Sequence, residues 1–229
     1  MALLTIEEFY GQRYANCLTE EDYLQADYNA AAIGFRASGL ETDRDGFPVP
    51  TSAADFETFI NQLSHERTLD YFDRYAHILD EETYWSQLAA TIQRQKVLSG
   101  RSFDLLSLLC GCSNEPPRRD ISCRDTMMSK QERQVRDALP EQVEIYRGFN
   151  RGEQDGLCWS LRRGVAEWFA NWMMPADSKQ RRLVTATVRK NDIVALLTSR
   201  NEDTVIIEDA SQLKDVTVSV LSGPIVDRR

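Results

Sequence analysis

The chain has 229 residues (26.2 kDa), of which 42% are hydrophobic and 28% charged, with a mean hydropathy of -0.45. This is a globular composition; it excludes a collagen-like, low-complexity or wholly disordered chain, and at ~100–200 residues per domain it fits one or two domains. Lys+Arg number 27 against Asp+Glu 36, a net charge of -9, so a general phosphate-binding surface and nonspecific nucleic-acid affinity are not expected.

The first 140 residues read as helices. Thr5-x-x-Glu8 and Thr19-x-x-Asp22 have capping-box form and each opens a helix-compatible segment. Asp43 to Pro50 is a loop by its Gly and Pro content. Ser52 caps the next helix, in which Phe56, Phe59, Ile60 and Leu63 fall at helical spacing. Leu69, Phe72, Tyr75, Ala76 and Leu79 repeat that spacing, and so do Trp85, Leu88, Ala89 and Ile92, with Gly100 as a stop. Leu105 to Leu109 makes a short buried helix. Residues 111–128 read as a long loop, and Ser129 opens a polar helix that ends before Pro140. The acidic residues between these stripes are solvated helix faces.

After Pro140 the period changes. Strands are predicted at Val143–Arg147, Leu157–Ser160, Leu183–Val188, Ile193–Leu197, Thr204–Ile207 and Val216–Leu221, with one helix built on Val165, Trp168, Phe169 and Trp172. The expected class is α+β, a helical region at 1–140 followed by a mixed β-sheet domain at 141–229. Charge divides at the same place: residues 1–140 hold 14 basic and 23 acidic residues, and residues 141–229 hold 13 of each.

The N-terminus lacks the basic stretch and apolar core of a secretory signal, and no apolar run approaches the ~18 residues that span a membrane. A cytoplasmic protein with free thiols at Cys17, Cys110, Cys112, Cys123 and Cys158 is expected. Cys110-x-Cys112 and Cys123 lack the four clustered ligands of structural zinc, with His65 and His77 far upstream, so no metal is expected.

Phosphate-loop, dinucleotide-fold, zinc-protease and serine-hydrolase motifs are all absent, and two histidines in the helical region leave no histidine-based triad. Chemistry must rest on Arg, Ser, Glu or Asp. Three pieces stand in order: Tyr146-Arg147-Gly148 on a strand, Trp159-Ser160 closing the next and leading into Ala166-Glu-Trp-Phe169-Ala170, and Arg200-Asn-Glu202-Asp203 before Thr204 to Ile207. An Arg at a strand end beside a Gly suits a pyrophosphate and an amide.

Taken together, the series resembles the mono-ADP-ribosyltransferases of the Arg–Ser–Glu type, which include phage and bacterial toxin members. The resemblance covers about residues 141–222. It implies an ADP-ribosyltransferase-like core, NAD as substrate and a protein target, with a nucleic-acid target a lesser option. It gives Arg147 the phosphates, the backbone of Gly148 the nicotinamide carboxamide, Ser160 the orientation of a carboxylate, and Phe169 or Trp168 a place against nicotinamide. That carboxylate would face the positive charge that grows on the ribose as the nicotinamide bond breaks. The second, catalytic position of the family's acidic motif falls on Thr204 and the first on Glu202. The carboxylate is therefore Glu202 in a shifted register, or Asp203, or absent. If it is absent, the chain is an inactive transferase-like fold that binds a protein as inhibitor or effector through its acidic helical half.

Overall fold

The computed structural model describes residues 40–94, 102–111, 119–149, 156–171, 181–198 and 202–221. The capping boxes at Thr5 and Thr19, the stop at Gly100, and Cys17, Cys112, Trp172 and Arg200 lie outside the described residues. Contacts group the chain into two compact units, Met1–Leu79 and Asp80–Arg229. The change of period at Pro140 lies inside the second unit. This boundary also divides the charge: residues 1–79 hold 5 basic and 14 acidic residues, a net of -9, and residues 80–229 hold 22 of each.

In the first unit, helices α1 (Ala53–Ile60) and α2 (His65–Tyr75) form where the spacing predicts, and α2 runs into a 3-10 turn at Ala76–Ile78. Ser52 caps α1, its hydroxyl accepting from the Asp55 N–H at 3.1 Å, which satisfies one of the helix's orphan donors. Phe56, Phe59, Ile60, Leu69, Phe72 and Leu79 are all buried. The loop before α1 belongs to this core, because Phe47 is buried against Tyr71 with ring centroids 5.6 Å apart. Its Asp43 carboxylate accepts from the N–H groups of Asp45 and Phe47 (2.9 Å each), from the Tyr75 hydroxyl (2.8 Å) and from Arg74. Burial alone would raise the Asp43 pKa; those bonds outweigh it and hold the carboxyl below its ordinary range.

The second unit begins with α3 (Glu81–Arg94) and α4 (Ser102–Leu109). The stretch expected to be loop up to residue 128 contains 3-10 turns at Ile121–Met127, opened by Asp120, whose side chain accepts from the Ser122 N–H. Their three-residue period leaves no 3.6-residue stripe in the sequence. Helix α5 (Lys130–Asp137) follows behind a full capping box between Ser129 and Glu132.

The remaining elements are β1 (Gln142–Phe149), β2 (Cys158–Ser160), α6 (Arg163–Asn171), β3 (Arg182–Arg189), β4 (Ile193–Leu197), β5 (Thr204–Ile207) and β6 (Lys214–Val220). The six strands form one sheet in the order β4-β5-β2-β1-β3-β6. The α+β class stands, but the sheet is antiparallel at all five pairings instead of mixed. Of the five neighbouring pairs, β1–β2 and β4–β5 are consecutive in the chain, whereas β1–β3, β2–β5 and β3–β6 are joined through intervening strands. One face carries Val143, Ile145, Trp159, Val184, Ala186, Val188, Leu196 and Val205, all buried.

Helix α6 lies on the opposite face. A Cβ on Gly148 would stand 1.6 Å from the Ala166 carbonyl oxygen and 2.7 Å from the Ala170 nitrogen. Only glycine lets the helix backbone approach the strand this closely. Among the described residues, no helix is long and apolar enough to cross a membrane.

Candidate functional site

The three motif strands are neighbours. β5, β2 and β1 sit side by side in the middle of the sheet, although the acidic motif lies more than forty residues beyond Ser160 in the chain. Tyr146 pairs with Ser160, and Ser160 pairs with Thr204. Directly opposed residues of an antiparallel ladder share a face, so Tyr146, Ser160 and Thr204 form one row under the side of the sheet that carries α6.

Ser160 is buried, and its hydroxyl is used twice: it donates to the Glu202 backbone carbonyl at 2.6 Å and accepts from the Arg162 N–H at 3.0 Å. The Leu161 N–H donates to the Asp203 carbonyl at 3.0 Å. Asp203 itself has φ 47, in the left-handed region, which Asp tolerates better than most residues. The acidic turn is thus pinned by its backbone to the end of β2, with Glu202 and Asp203 both half-buried. Ser160 and Glu202 are brought together; the Ser160 hydroxyl holds the chain at Glu202 and not the carboxylate. β5 starts at Thr204, so a threonine pairs with Ser160 at the position to which the resemblance assigns a catalytic Glu.

Arg147 is placed differently. It is the next residue after Tyr146, so its side chain leaves β1 from the other face, that of Val143 and Ile145. Its guanidinium donates to the Cys158 carbonyl at 2.7 Å. It also lies flat over Gly156, where a Cβ would stand 2.1 Å from Nη2 and 2.2 Å from Cζ. The Trp159 indole N–H donates to the Gly156 carbonyl at 2.7 Å. Burial pushes the Cys158 thiol up to about 11, with the Arg147 charge acting the other way. Gly148 serves as the seat of α6.

Phe169 and Trp168 are half-buried, with ring centroids 5.0 Å apart and edge-on at 76°. Neither joins the core, so α6 offers a partly exposed aromatic pair. The sequence reading missed Glu144, Arg163 and Glu167. The Tyr146 hydroxyl donates to Glu144, and Arg163 bonds Glu167 at 2.8 Å. The bond to Glu144, and after it burial, raise the Tyr146 pKa. Alternation on β1 was the available signal, since Glu144 and Tyr146 share a face.

Elsewhere in the second unit, Arg124 bonds both oxygens of Glu208 (2.9 and 3.2 Å), and the Cys110 thiol meets the same carboxylate at 3.4 Å. This group ties the 3-10 turns to the far end of β5. Among the described residues, no group of three or more His, Cys, Asp or Glu side chains is placed to hold a metal ion. No family model, curated protein or solved structure matches the chain.

Proposed function

We propose that the chain is an NAD-dependent mono-ADP-ribosyltransferase that acts in the cytoplasm and transfers ADP-ribose to a side chain of a protein target. One observation carries the reading: the strands of the arginine and serine motifs and the strand after the acidic turn are neighbours, and the Ser160 hydroxyl is bonded to the backbone of Glu202, while the Arg147 side chain leaves from the opposite face. As the nicotinamide–ribose bond breaks, its electron pair leaves with the nicotinamide nitrogen and positive charge grows on the ribose. The Glu202 carboxylate faces that charge. The acceptor atom then bonds the anomeric carbon and gives up its proton. Ser160 fixes the turn that carries Glu202, and Phe169 with Trp168 packs against nicotinamide. The resemblance gives Arg147 the pyrophosphate and Gly148 the carboxamide.

The test is transfer of label from NAD to protein in a cell lysate, comparing the wild type with Glu202→Ala and Arg147→Ala. Loss of the carboxylate should lower transfer about 10²–10³-fold, the usual cost of removing one charge-stabilising group. Retained NAD binding with no label on any protein would defeat the reading.

Two observations favour a second reading, a transferase-like protein that acts by binding. Thr204 stands opposite Ser160 where the family motif carries its Glu, and residues 1–79 hold the whole net charge of -9. Such a unit would be steered onto a basic protein surface. Salt-sensitive capture of a basic partner that survives Glu202→Ala would support it.

A further inference from the structure

β1 and β2 form the thinnest seam of the sheet. Among the described residues they pair at one position, Tyr146 with Ser160, whereas β1 and β3 pair at eight. Everything the proposed reaction needs from Ser160 and the acidic turn hangs on β2, a strand of three residues. The guanidinium of Arg147 supplies a second tie across this seam. It reaches from β1 to the Cys158 carbonyl at the start of β2 and rests on Gly156, whose own carbonyl is held by the Trp159 indole. Ser160 stands at the other end of the same short strand and on the other face.

We infer that Arg147 is a positioning residue: with Gly156 as its seat, it locks β2 onto β1 and so sets where Ser160 holds the Glu202 turn. This rests on the transferase reading for its effect on activity, though not for its effect on the strand. A guanidinium suits the task because it is planar and lies flat on a residue that has no side chain. Displacing it leaves Ser160 and Glu202 chemically intact and shifts the strand that carries them. A misplacement of about 1 Å costs on the order of 10²-fold in rate where geometry governs a reaction.

Gly156→Ala moves the guanidinium without removing it, because the clash is with the far end of a flexible side chain. Gly164→Ala is the matched control, since a Cβ there meets nothing within 4 Å. The experiment measures kcat and KM for NAD in the wild type, Arg147→Ala, Arg147→Lys, Gly156→Ala and Gly164→Ala. It also follows iodoacetamide labelling of Cys158 by peptide mass spectrometry in the same proteins.

A positioning role gives a kcat lower by about 10- to 100-fold in Arg147→Ala and Gly156→Ala, with KM within about twofold of wild type. Arg147→Lys, which keeps one donor for the Cys158 carbonyl, recovers part of the loss. Cys158 labels several-fold faster in the two damaged variants as the seam loosens. A raised KM with kcat and Cys158 labelling unchanged makes Arg147 a phosphate clamp and overturns the inference. Inactivity of the wild type overturns the transferase reading alone; Cys158 labelling then still decides the lock, and equal labelling in all five proteins removes it.

Discussion

The two edges of the sheet are treated in opposite ways. At the β4 edge two N–H groups are occupied: Leu196 donates to the Met128 sulfur at 3.3 Å, and Thr198, just past the strand, donates to Glu132 at 2.7 Å. At β6 no further strand follows among the described residues, and every residue is exposed, with Val216, Val218 and Val220 open by 49%, 46% and 64%. An open edge is a template for pairing, which proteins usually blunt. The comparison teaches that the sheet is locked on the side where α5 and the 3-10 turns before it sit. The motif strands β5 and β2 lie next to that locked side, and β6 ends the sheet beyond β1 and β3.

Substitutions at the two edges should therefore differ by an order of magnitude. Met128→Ala removes a side chain that is 2% exposed and its sulfur acceptor together, and should cost about 2–5 kcal/mol by chemical denaturation. Met128→Leu keeps the volume and loses only the acceptor, and should cost less than about 1.5 kcal/mol. A cost as large as that of the Ala variant would mean that the sulfur contact, and not packing, protects the edge.

Glu132→Ala should come next, at about 1–3 kcal/mol, the usual cost of leaving buried donors unsatisfied. Burial raises the Glu132 pKa, but bonds from the backbone of Thr198 and Ser129 outweigh it and the pKa is lowered. A depressed carboxyl stabilises the fold above its unfolded value, and that stability is lost as pH falls through the folded value. Thermal melting should therefore weaken below about pH 4.5 in the wild type, with a flatter acid limb in Glu132→Gln.

The smallest effect belongs to the open edge. Val216→Thr, Val218→Thr and Val220→Thr should each change stability by no more than about 0.5 kcal/mol, while light scattering at high concentration falls. A loss of several kcal/mol would mean that these valines are covered in solution.

Much of this was legible because periodicity reports burial. The strand at 193–197 begins and ends with its apolar run, and the strand at 204–207 ends with its own, Val205 to Ile207, since both runs are largely buried and bounded by polar residues. The stripes of Phe56 and Leu69 fall inside the first core for the same reason. Three things were hidden. The 3-10 turns at Ile121–Met127 have no amphipathic period to betray them. The antiparallel pairing of all strands depends on which neighbours each strand finds, and a single strand does not record that. In the candidate site, residue types and their order pointed to Arg147, Ser160 and Glu202, while the face each side chain takes depends on register across the β1–β2 seam. A one-residue difference there decides whether Arg147 stands beside Ser160 or behind it.

The carboxylate of Glu132 has a consequence for motion. One oxygen receives the Ser129 N–H at the start of α5, and the other receives the Thr198 N–H at the end of β4. Unwinding the first turn of the helix and peeling the strand end away break bonds to the same group, so neither opening is cheap alone. Two amides sixty-nine residues apart in the chain should therefore exchange with solvent deuterium as one unit, and Glu132→Ala should uncouple them.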